Sequence, residues 1–195
     1  MKQDYEREDE QFIKEANEYK KETRGSIYSN IFVKGEEMLF DKFIFEEDRI
    51  EVYLPVDFID IPEPIKKYKY PSEGRPKYIK THRLGGVDFG LNPLPLEGTD
   101  AMTKEVGEQM YQITKNYKPY DLFLDKESNI NENTNKLVFW FDFITRGIDA
   151  MIYNFMGVTS VAGKQLNFVF NCNAEEKDIW KPIAKEVFMS IKTYE

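Results

Sequence analysis

Three consecutive stretches toward the C-terminus are rich in apolar residues: KLVFWFDFIT (136–145) and DAMIYNFMG (149–157) hold short solid apolar runs, and KQLNFVFNC (164–172) alternates, with Leu166, Phe168 and Phe170 on one face. Alternation sends successive side chains to opposite faces of an extended backbone, and a short apolar run bounded by turn residues also fits a strand, so each stretch predicts a β-strand. Arg146 and Gly147 link the first pair tightly, and Ala162 and Gly163 sit before the last. Shorter strand signals run from Ser26 to Leu54: YSNIFVK, EMLFDKFIF and RIEVYL, the last with Ile50, Val52 and Leu54 alternating. Glu46, Glu47 and Asp48 fall where a hairpin would turn and predict a solvated loop. PKYIKTH and GVDFGL predict a further hairpin, turned at Gly85 and Gly86.

Helical spacing marks three other regions. Met102, Val106, Met110, Ile113 and Tyr117 recur every three or four residues over 100–117, with Thr99 or Asp100 available as N-cap and Pro119 as a stop. From about Ala174 to Lys192, Ile179, Ile183, Val187 and Ile191 form one row, and Trp180, Ala184 and Phe188 the next. So wide a stripe must cover a sheet, with Trp180 and Phe188 largely buried. Residues 5–22 carry a thinner stripe (Tyr5, Phe12, Ile13, Ala16, Tyr19) amid mixed charge, ended by Gly25. The division expected is a charged N-terminal helix over 1–25 and a single α+β domain over 26–195. Between the strands and helices, residues 55–76 hold five of the nine prolines and predict a long surface excursion. KESNINENTN (126–135) predicts a polar loop. Strands in antiparallel-looking runs without regular βαβ alternation argue for an α+β fold. No internal repeat is visible.

Composition narrows the chemistry. The chain has 195 residues, 41% of them hydrophobic and 15% aromatic, enough apolar mass for a core. It has one histidine, His82, and one cysteine, Cys172, so a standard zinc site and an internal disulfide both lack ligands. The lone thiol fits a reducing compartment, or an exported protein that folds on its core alone. Residues 1–25 hold no apolar run that predicts a signal peptide or a membrane span, so the expected location is cytoplasmic. The formal charge of −8 argues against a general nucleic-acid binder.

Motif tests are mostly negative. Asp125, Glu127, Asn129 and Asn131 start like a calcium loop, but Ile130 replaces its turn glycine and Lys136 its bidentate glutamate. GVTSVAGK (157–164) imitates a phosphate loop with one residue too many between its glycines and no helix after it. His82 reads as exposed or capping a hairpin, and Cys172 as a small buried hydrophobe. One charge feature stands out in an acidic chain: PIKKYKYPSEGRPKYIKTHR (64–83). Lys66, Lys67, Lys69, Arg75, Lys77, Lys80 and Arg83, interleaved with Tyr68, Tyr70 and Tyr78, form a candidate contact segment. It suits an acidic protein surface, a nucleic-acid or phospholipid phosphate, or simply a solvated loop and edge strand that its lysines keep from aggregating.

RIEVYLPVDF (49–58), a strand running into Leu-Pro, and GKQLNFVFNCNAEEKDIWKPIAKEVFMSIK (163–192), a strand passing through a short polar link into a helix ending Ser190-Ile191, resemble the PsbP-like superfamily. That group includes the photosystem extrinsic subunit, a Ran-binding import factor and bacterial effector chaperones. The resemblance follows the order of elements over about 37–194. It implies one antiparallel sheet of six to eight strands with helices on both faces (α/β/α), no shared catalytic apparatus, no cofactor, and binding or accessory roles. With so few catalytic residue types, the expected function is a non-enzymatic protein-binding accessory, adaptor or chaperone. The alternatives are a small-molecule or lipid carrier with a pocket lined by aromatic and Met side chains, and nucleic-acid contact through residues 66–83.

Overall fold

A computed structural model gives the fold and describes residues 25–29, 31–33 and 36–194. The helix expected over 5–22 lies outside these residues. The three apolar stretches toward the C-terminus form a meander of long strands: β9 (Lys136–Arg146), β10 (Met151–Val161) and β11 (Lys164–Asn173). Val161 pairs with Lys164 across a two-residue turn in which Ala162 (φ 49°) and Gly163 (φ 77°) are both left-handed. Such a turn matches the twist of the strands it joins.

Four more strands complete an antiparallel seven-stranded sheet: β5 (Ile59–Asp60), β6 (Tyr78–Thr81), β7 (Asp88–Glu97) and β8 (Leu122–Asn131). The order is β5-β6-β7-β11-β10-β9-β8. Gly85 and Gly86, both at positive φ, turn the β6–β7 hairpin as expected. Two expectations for the connections need correcting. Residues 126–131 belong to strand β8, whose exposed polar side chains at the sheet edge disguise it as a loop. The proline-rich excursion contains β5 and a short helix, α1 (Glu63–Lys69), which has Pro64 in its first turn where no donor is lost.

β9 has both faces buried. Phe139, Phe141 and Phe143 point to one side, where they meet Met110 and Tyr111 of α2 (Asp100–Tyr117). Val138 and Trp140 point to the other, into a core with Tyr153, Phe155, Phe168 and Phe170. That core is closed by Trp180, Ile183, Ala184, Val187 and Phe188 of α3 (Lys177–Met189). Helices therefore cover both faces of the sheet. Thr99 caps α2 by accepting a hydrogen bond from the Met102 amide at 3.2 Å.

The expected single sheet is incomplete as a description. Beside α3 lies a three-stranded sheet, β12-β4-β3, from β3 (Phe40–Phe45), β4 (Ile50–Pro55) and β12 (Lys192–Thr193). A separate two-stranded ribbon pairs β1 (Ile31–Val33) with β2 (Glu36–Met38). Ile50, Val52 and Leu54 join the α3-side core, so α3 alone does not cover that face. Two details of α3 also differ. A 3-10 turn over Ala174–Glu176 precedes it, and Ile179 is 38% exposed instead of facing the sheet. Pro182 lies inside the helix. In α2, Ile113 and Tyr117 are exposed although they share the apolar spacing. Among the described residues no helix is long and apolar enough to cross a membrane.

The helices approach the sheet closely at two glycines. A Cβ on Gly107 would stand 2.3 Å from Phe139 Cγ, and one on Gly157 would stand 2.7 Å from Phe188 Cζ. Gly107→Ala is expected to destabilise the fold by about 1–3 kcal/mol through overpacking, and Phe188→Ala by about 3–5 kcal/mol through the cavity it leaves. Urea unfolding checks both; an unchanged midpoint for either variant contradicts the packing described.

Candidate functional site

The basic segment is divided by the fold. Lys66, Lys67, Tyr68 and Lys69 ride on α1, Tyr70 follows it, Arg75 lies in a turn, Lys77 precedes β6, Tyr78 and Lys80 lie on β6, and Arg83 sits in the β6–β7 turn. Most of its cations meet the protein's own carboxylates. Lys77 Nζ lies 2.7 Å from Asp48 and 3.0 Å from Glu47, Lys80 2.8 Å from Asp60, and Lys66 3.7 Å from Glu63. The acidic turn 46–48 is therefore no free solvated loop. Tyr78 also donates to Asp48 at 2.6 Å. Burial works against the charge on Asp48, but the Lys77 and Tyr78 hydrogen bonds outweigh it and hold the carboxyl below its usual range.

Lys69 and Tyr70 anchor α1 to the sheet through Asp88, a buried carboxylate at the start of β7. Lys69 Nζ is 3.1 Å from it, Tyr70 donates to it at 2.9 Å, and Thr81 donates from β6. Burial, reinforced by the Asp88 charge, pushes the Tyr70 phenol far above its ordinary range. These residues are fastenings. Among the described residues only Lys67, Arg75 and Arg83 of the segment's cations form no ion pair. No single cationic face of ten residues results.

A second polar cluster escaped the sequence reading. Asp142 is wholly buried on the α3 side of β9. Its carboxylate lies 2.5 Å from Lys181 Nζ, accepts the Tyr153 hydroxyl at 2.8 Å, and accepts the Asp125 amide at 2.7 Å where β8 bulges. Lys181 also reaches Asp125 at 2.6 Å. Hydrogen bonding from Lys181 lowers the Asp125 pKa, and burial followed by the Asp142 charge raises that of Tyr153. The signal was present: a lone Asp among the inward-facing positions of KLVFWFDFIT requires a buried partner. The cluster rivets α3 to β8 and β9.

The open concavity lies at one end of the seven-stranded sheet. A cleft of about 460 Å³ is walled by Val33, Glu37 and Met38 of the ribbon, Asp57, His82, Leu84, Gly85, Gly86 and Val87 of the β6–β7 turn, and Asn173, Glu176 and Trp180 around the start of α3. His82 caps its turn, as expected: its amide donates to the Val87 carbonyl at 3.0 Å and its Nδ1 accepts the Leu84 amide at 3.3 Å. Trp180 donates from Nε1 to Glu176 at 3.2 Å, fixing that carboxylate at the wall. Among the described residues no group of three His, Cys, Asp or Glu side chains could hold a metal ion. Cys172 is buried in the core.

The α+β class with helices on both faces of an antiparallel sheet agrees with a known structure. The solution structure of cyanobacterial PsbP (CyanoP) from Synechocystis sp. matches with a TM-score of 0.58 over 80% of this chain and 92% of that one, at 14% identity. A Bacteroides thetaiotaomicron crystal structure gives 0.49 at 12% identity, covering 79% and 48% of the two chains. LpqN of Mycobacterium tuberculosis, described as involved in cell envelope biogenesis, gives 0.44 at 8% identity, covering 88% and 99%. Only the first carries weight, and it does so for the fold: this chain has a PsbP-like fold, as the segments at 49–58 and 163–192 imply. No protein-family model matches the sequence, and no curated protein does.

Removing Lys181 strands a buried charge, so Lys181→Met is expected to cost roughly 3–5 kcal/mol at neutral pH, measured by urea unfolding. The added change Asp142→Asn should restore part of the loss; a single variant as stable as wild type contradicts the rivet. The depressed carboxyls of Asp48, Glu51 and Asp125 set the acid response. Their contribution is complete above the unfolded carboxyl pKa of about 4 and is lost as pH falls through the lower folded values. The melting temperature should drop between neutral pH and about pH 3, less steeply in Asp125→Asn.

Proposed function

We propose that this chain is a non-enzymatic, cytoplasmic accessory protein whose ligand is another protein, docked at the sheet end that carries the cleft. The observation behind this reading is a set of three loop tips. Antiparallel pairing brings the β6–β7 turn, the β9–β10 turn and the α2–β8 turn to the same end of the sheet. Each lifts a large apolar side chain into solvent: Leu84 at 91% exposure, Ile148 at 87% and Tyr120 at 99%. Apolar tips raised together beside a cleft suit a binding surface.

The other readings draw less support. Among the described residues Met38 and Trp180 are the only Met, Phe, Tyr or Trp side chains in the cleft wall, because most of the aromatic residues that suggested a carrier fill the two cores instead. Nucleic-acid contact through residues 66–83 is disfavoured by the carboxylates that already neutralise Lys66, Lys69, Lys77 and Lys80. The histidine that a hydrolytic triad would need is occupied in holding a turn.

The test is affinity capture from native lysate with wild type and with Leu84→Ser/Tyr120→Ser/Ile148→Ser, partners being identified by mass spectrometry. These exposed positions should leave stability within about 0.5 kcal/mol. A protein held by wild type and lost by the variant is expected; equal capture by both, or capture of nothing, overturns the reading.

A further inference from the structure

We infer that the cleft receives a lysine or arginine side chain from an extended basic segment of the partner, an inference that rests on the protein-binding reading above. Among the described residues the cleft's wall carries three carboxylic acids, Glu37, Asp57 and Glu176, and no lysine or arginine. Its volume of about 460 Å³ holds far more than a bare ion. The acids are too dispersed to form a metal group. A guanidinium or ammonium at the end of a long aliphatic stem suits such a wall, because it offers several donors directed outward and an apolar shaft behind them.

The wall matches both halves of such a side chain. Val33, Met38, Val87 and Trp180 supply apolar surface for the stem. Glu176 is oriented by the Trp180 indole, and Asp57, half-buried, forms no ion pair or side-chain hydrogen bond among the described residues. Gly85 and Gly86, left-handed and with nothing within 4 Å of a built Cβ, keep the turn side of the cleft clear. A backbone approaching there meets no side chain at either position. The net charge of −8 adds a long-range attraction for a basic chain and disfavours an acidic one.

Purified full-length chain is titrated with three fluorescein-labelled octapeptides that alternate glycine with arginine, glutamine or glutamate, and anisotropy is read at low and raised salt. The arginine peptide should bind at least about tenfold tighter than the glutamine peptide, as expected for charged hydrogen bonds, and lose affinity as salt rises. Asp57→Asn should weaken it about tenfold; Glu37→Gln should weaken it as well, with near-UV circular dichroism confirming the native fold. Equal binding of the arginine and glutamine peptides overturns the inference, as does arginine binding indifferent to both substitutions. The two readings fail separately. Capture that depends on the loop tips, with no preference for the cationic peptide, removes the cation pocket alone. A cation preference with capture indifferent to the tips removes the docking surface, and with it the assignment of the segment to a partner.

Discussion

β9 must fill two apolar cores at once: its even-numbered positions enter the α3-side core and its odd-numbered positions enter the α2-side core. Neither side faces water from Val138 to Phe143. A slip of one residue in its pairing would exchange Trp140 with a phenylalanine and turn Asp142 out of reach of Lys181. Both helices, the neighbouring strands and the position of α3 are thus referred to one register. The α3 layer is widened by β4, because a single helix cannot cover the span from Trp140 to Leu91.

Buried carboxylates do the fastening at the margins of that core. Asp88 gathers Lys69, Tyr70 and Thr81, and Asp142 gathers Lys181, Tyr153 and the Asp125 amide. The first cluster ties down a segment without apolar anchors, since α1 has no buried residue, and the second holds β8 where a bulge interrupts its pairing. Directional bonds fix position where burial has little to offer. The consequence is that most lysines of the basic segment are committed to the protein's own carboxylates, whereas the apolar tips Leu84, Tyr120 and Ile148 stand exposed.

Strands β9 to β11 and helices α2 and α3 are legible in the sequence because their periodicity is a local record of burial. Strand β8 is not, because an edge strand with exposed sides carries charges and amides that look like a loop. The partners of Lys69, Lys77 and Lys181 are hidden for another reason. Asp88, Asp48 and Asp142 are distant in sequence, and nothing in the spacing of charges announces which will meet. The cleft is less legible still. Its wall is drawn from the ribbon, a hairpin turn and the first turns of a helix, and only His82 attracted notice by its rarity.

The three-stranded sheet has an implication in time. β4 at residues 50–55 waits for β12 at 192–193, and Tyr194 donates its amide to the Arg49 carbonyl at 2.8 Å. The ribosome delivers those partners far apart in time, whereas the β8–β11 meander emerges in one continuous piece. A nascent chain therefore assembles its middle first and holds Ile50, Val52 and Leu54 without their final cover until α3 and β12 have left the tunnel.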